Sequence, residues 1–103
     1  MLTKLLRVSL FLLASHASFT ASADINQALQ HEARTEANKL RDAARKPEQT
    51  LTFFEVTPQS TVVEISPGAG WYTEILAPLL AEQGLYYAAH FPANATGFGQ
   101  RSR

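Results

Sequence analysis

The chain has 103 residues, 46% of them hydrophobic and 17% charged, with nine basic side chains set against nine acidic ones. That length holds at most one small domain. A formal charge of zero lacks the basic field with which nucleic-acid binders release counterions, so no nucleic-acid partner is expected. The absence of cysteine excludes a disulfide scaffold, a thiolate metal site, a cysteine nucleophile and a lipidated cysteine anchor.

Lys4 and Arg7 precede the apolar run Val8 to Ala14, and small residues then lead to Ala21-Ser22-Ala23. Basic, apolar and small-x-small regions in that order predict a secretory signal peptide over 1–23, cut before Asp24. The apolar run is much shorter than the roughly 20 residues that span a bilayer, so no permanent membrane span is expected. Export, with the periplasm as destination, is the expected localisation. Removing Lys4 and Arg7 leaves the remainder mildly acidic.

The segment 24–46 reads as an amphipathic helix. Ile25, Leu29, Ala33, Ala37, Leu40 and Ala44 recur at helical spacing up to Arg45, Asp24 can cap the start, and Pro47 bars continuation. Alanine supplies most of this stripe, so the helix is expected to lie as an outer arm over a larger core. Pro47 suits the first position of a second short helix, with Glu48 in its first turn and Leu51, Phe53 and Phe54 as an apolar patch.

Thr57-Pro58-Gln59-Ser60 predicts a turn, and the β-branched run Thr61-Val62-Val63-Glu64-Ile65 predicts a buried strand. After the loop Ser66-Pro67-Gly68-Ala69-Gly70, helical spacing resumes from Trp71 to Ala81, with Pro78 expected to kink or shorten it. Gly84 is expected to end that helix as a left-handed residue, and Leu85 to Ala89 reads as a second strand. Strand, glycine loop, helix, strand is the opening of a doubly wound α/β domain. Its ligand crevice lies beyond the carboxyl end of the first strand, where Glu64 to Tyr72 fall.

Gly68 and Gly70 let backbone approach a ligand, and the amides that open the next helix suit a carboxylate or phosphate. Glu64 can accept from a ligand amine or fix the loop through its own amides. A Walker loop is excluded, because no lysine followed by serine or threonine comes after the glycines. A dinucleotide fingerprint fits poorly, since its third glycine would fall at Thr73 and its acidic ribose partner near His90. The bland alternative is a strand-to-helix turn that binds nothing.

The words Val62-Val63-Glu64-Ile65-Ser66-Pro67-Gly68-Ala69-Gly70 resemble the first motif of class I S-adenosylmethionine-dependent methyltransferases. The flanking Arg41-Asp42-Ala43-Ala44-Arg45-Lys46-Pro47, Thr50 to Phe54, Trp71 to Pro78 and Tyr87-Ala88-Ala89-His90-Phe91 are similar to an exported methyltransferase-like family. The likeness implies a Rossmann-like domain, of which 47–103 would be a truncated N-terminal part, with Gln100 to Arg103 opening a further helix. It implies S-adenosyl-L-methionine as cofactor, with Glu64 near the methionine amino group and Gly68 and Gly70 beside its carboxylate. It also implies a small-molecule methyl acceptor, and it assigns no catalytic residue. Ser66 stands where the general motif has its first glycine, and His90 where many such enzymes place an acid for the ribose hydroxyls.

The rival function is a noncatalytic exported protein that binds a small ligand or a partner in the same crevice. Arg41, Asp42, Arg45 and Lys46 either orient an acidic substrate or serve the end of their helix; Trp71 is expected in the core, and Tyr72 is open between core and ligand. His31 and His90 have no local ligand spacing, so no metal site is expected.

Overall fold

A computed structural model describes residues 24–97. They form an α/β unit: α1 over 24–29, α2 (Glu36–Lys39), α3 (Asp42–Arg45), α4 (Pro47–Phe53), β1 (Thr61–Ile65), α5 (Thr73–Leu80) and β2 (Leu85–Ala89). The strands pair in parallel, with Thr61 opposite Leu85 and Ile65 opposite Ala89, and α5 makes the crossover. The expected signal peptide and the expected helix from Gln100 lie outside the described residues. Among the described residues no helix is long and apolar enough to cross a membrane.

α5 is the centre of the core. Its Ile75, Leu76, Leu79 and Leu80 are buried together with Ile25 and Ala28 of α1, Leu51 of α4, and Trp71. Each leucine or isoleucine so buried contributes about 1.5–3 kcal/mol relative to exposure. Val62 and Tyr86, on the inner face of the sheet, pack against this cluster. Pro78 lies within α5, which runs only to Leu80.

The sheet is covered on one side. Val63 (58% exposed), Ile65 (79%), Leu85 (55%) and Tyr87 (54%) lie on the outer face, so β1 is not the buried strand its composition predicts. A parallel sheet is dry only when helices lie on both faces, and among the described elements α5 crosses one. Phe53 and Phe54, expected as an apolar patch of the second helix, are likewise largely exposed and contact each other edge to face.

The single amphipathic helix expected over 24–45 is broken into α1, α2 and α3, and most of its alanine stripe is not the buried face. Ala33, Ala37, Leu40 and Ala44 are exposed, while Ala28, Arg34 and Asn38 turn inward. The Arg34 guanidinium forms a bidentate pair with Asp42, at 2.6 and 2.8 Å, and also donates to Leu29 O at the end of α1. In a continuous helix these side chains would start about 12 Å apart along the axis, beyond a bidentate contact. Folding back at 30–35 brings them together. Thr35 restarts the helix, its backbone extended and its Oγ1 accepting from Asn38 N. Burying a few alanine methyls offers too little to oppose this, at about 0.8 kcal/mol each.

Gly84 is not left-handed, contrary to expectation. A Cβ there would lie 2.7 Å from both Pro58 O and Ser60 O, so glycine is required by the close approach of two chain segments, not by helix termination.

The Arg34–Asp42 pair predicts a specific acid response. Hydrogen bonds from Arg34 hold the Asp42 carboxyl below the ordinary range, against a smaller opposing effect of burial. The stabilisation is therefore complete above the unfolded-state value of about 4 and is lost as pH falls through the lower folded-state value. Asp42→Asn should flatten this acid limb. At neutral pH it should cost about 3 kcal/mol, the low end for breaking a buried pair, because the Asp42 side chain is 25% exposed. Urea denaturation at about pH 7 and about pH 3 measures both effects.

Candidate functional site

The loop at the carboxyl end of β1 is built from positive-φ backbone. Ser66 (φ 54°), Gly68 (φ 57°) and Gly70 (φ 78°) turn the chain in alternate steps from the strand into α5. Ser66 N donates to Ala89 O at 2.9 Å, extending the sheet by one bond, and Gly70 N donates to Pro67 O at 3.0 Å, closing the turn. Glu74 N then reaches back to Gly70 O at 2.9 Å. The N–H groups of Gly68, Ala69, Trp71, Tyr72 and Thr73 have no acceptor among the described residues. They surround the positive end of the α5 dipole, an arrangement that favours a carboxylate or phosphate.

Both loop glycines sit in the left-handed region, which favours glycine. A Cβ at Gly68 would meet nothing nearer than Ser66 O at 4.0 Å, so its side is open; at Gly70 it would make ordinary contact with the Thr73 side chain. Gly68 is also exposed. Conformation, and not crowding, selects glycine at both positions.

Glu64 does not fix the loop amides. Its Oε2 accepts from Thr73 Oγ1 at 3.0 Å and from the Tyr86 hydroxyl, and those two hydroxyl oxygens are themselves 2.9 Å apart. Burial raises the Tyr86 phenol above its ordinary pKa, and the hydrogen bond to Glu64 raises it further, so the group remains a protonated donor near neutral pH. Sequence reading missed Thr73 and Tyr86 as partners of Glu64. Thr73 stands one position past the stretch Glu64 to Tyr72 singled out from sequence, and the link to Tyr86 spans 22 positions and required the crossover to be known.

Two members of the mostly basic cluster, Asp42 and Arg45, have partners within the fold. Asp42 pairs with Arg34, and the Arg45 guanidinium lies 4.1 Å from the centroid of Trp71 and 5.4 Å from that of Tyr72. Trp71 is buried, as expected, with its indole N–H donated to Asn38 O at 2.9 Å; Tyr72 is half-buried, edge to face with Trp71. His31 and His90 are both exposed, with His31 Nδ1 accepting from Ala33 N. Among the described residues no group of three or more His, Asp or Glu is placed to hold a metal ion. A concavity of about 440 Å³ lies at the other end of α5, lined in part by Asp24, Gln27, His31, Gln59 and Glu82, away from the loop chemistry.

Ser66 supplies a test of the loop geometry. A non-glycine residue in the left-handed region costs about 1–2 kcal/mol, and glycine restores about 0.4–1 kcal/mol of unfolded-chain entropy against that relief. Ser66→Gly should therefore stabilise the chain by about 0.5–1 kcal/mol, seen as a higher urea midpoint at constant slope. A lower midpoint would contradict the left-handed assignment. No protein-family model matches the chain, and no curated protein or solved structure matches it.

Proposed function

We propose that the chain carries the cofactor-binding loop of an exported, methyltransferase-like protein of doubly wound α/β architecture. The observation that supports this reading is a positive-φ loop with unpaired N–H groups following directly on the strand that carries Glu64. The amides of Gly68, Ala69, Trp71 and Tyr72 complement a carboxylate, and Glu64 complements an ammonium, so together they match the amino-acid end of S-adenosyl-L-methionine. His90, exposed one position past β2, stands where many such enzymes place an acid for the ribose hydroxyls and departs from that pattern.

When bound, S-adenosyl-L-methionine would supply an electrophilic methyl group for in-line transfer to a small-molecule acceptor. The loop residues bind and orient; they hold no assigned base, and such transfer depends chiefly on alignment.

Calorimetric titration of the chain with S-adenosyl-L-methionine should give saturable heat. Gly68→Val should abolish it while leaving far-ultraviolet helicity largely intact, because a β-branched side chain resists φ 57° and fills the open side of the loop. Absence of heat with the unsubstituted chain would overturn the cofactor assignment, and unchanged affinity in the variant would overturn the loop assignment.

We further infer export with cleavage after Ala23, supported by the order of Lys4, Arg7, the Val8–Ala14 run and Ala21-Ser22-Ala23. Mass spectrometry of the protein from its native compartment should find Asp24 at the N-terminus; an intact Met1 would contradict it.

A further inference from the structure

We infer that the hydroxyls of Thr73 and Tyr86 are positioning groups, which pin Oε2 of Glu64 and leave Oε1 to receive the ammonium of an α-amino-acid ligand. This rests on the loop being a binding site for such a ligand. Three elements supply the cluster: Glu64 comes from β1, Tyr86 from β2 and Thr73 from the first position of α5. Tyr86 is paired in register with Val62, two positions before Glu64, and its long side chain reaches along the sheet to the carboxylate.

The two donors converge on one oxygen. Each hydroxyl has a single proton, so the triangle directs its donors to Oε2, or passes one through the neighbouring hydroxyl, and supplies none to Oε1. Oε1 makes no hydrogen bond among the described residues, yet it is not among the buried unsatisfied atoms, where Arg34 Nε alone is found. It therefore reaches solvent. A glutamate turned by rotation about its side-chain bonds would present either oxygen, or neither; two fixed donors select one orientation before a ligand arrives. Neither Thr73 nor Tyr86 need touch the ligand for this.

The role is read from the discrimination between two ligands by the full chain. S-adenosyl-L-methionine and its analogue lacking the α-amino group are titrated into the unsubstituted chain, Thr73→Val and Tyr86→Phe. Each substitution should weaken the amino ligand by roughly tenfold, the value of one hydrogen bond to a charged group, and leave the desamino analogue unchanged. Equal losses for both ligands, or no loss, would show a merely structural cluster and overturn the positioning role while the binding site stands. If neither ligand binds the unsubstituted chain, the site reading falls and the role falls with it. A ligand-free readout guards against variants that fold poorly: Glu64→Gln should lower the pH at which Tyr86 titrates, followed by NMR of labelled tyrosine, because Glu64 helps to raise it. An unmoved Tyr86 would show that the two groups are not coupled and would overturn the proposal.

Discussion

The indole of Trp71 joins the two halves of this structure. It leaves the glycine loop, enters the core beside Ile75, and donates its N–H to the backbone of Asn38. An unpaired indole N–H at this depth would cost about 1–3 kcal/mol, so the chain around Asn38 must run where its carbonyl meets the ring. Arg45 then covers the ring face and Tyr72 its edge. The arm at Asn38 and the start of α5 are thus tied together at one residue.

Around that contact the polar groups of the arm are tied inward. Thr35 N donates to Glu74 Oε2 at 3.0 Å, linking the start of α2 to the first turn of α5. Burial alone would raise the Glu74 carboxyl, but hydrogen bonds from Asn38 and Thr35 and the charge of Arg34 bring it below the ordinary range. Arg34 pairs with Asp42, with its Nε left buried and without a partner. A buried guanidinium is favourable only with its carboxylate in place. The short helices therefore depend on side-chain pairing more than on intrinsic propensity, which is marginal in pieces of four residues.

The elements near the loop were legible in the sequence because their signals are local. β-branched residues bounded by Pro58 and Pro67 mark β1, proline at its first position marks α4, and the glycines at 68 and 70 mark a turn through positive φ. The arm was not legible. Its periodicity is real, but the interactions that break it join Arg34 to Asp42 and Asn38 to Trp71, and residue spacing along one helix carries no trace of either. Gly84 shows the same limit: a glycine after a helix suggests a cap, whereas its reason here is the backbone of Pro58 and Ser60 across the fold. At the candidate site, Glu64 and both glycines were singled out from spacing; the partners of Glu64 were not, because Tyr86 meets it only after β2 has returned beside β1.

The parallel register also constrains the order of assembly. Thr61 pairs with Leu85 and Ile65 with Ala89, so every rung of the ladder closes a loop that contains the whole of α5. A hairpin can zip from its turn, but this pair has no turn from which to start. The entropy of closing the crossover is lost before the first strand bond forms, and a docked α5 shortens the remaining search. Helix docking on Trp71 and Leu51 is therefore the natural early event. The rungs between β1 and β2, and with them the contact of Tyr86 with Glu64, are among the last features to form.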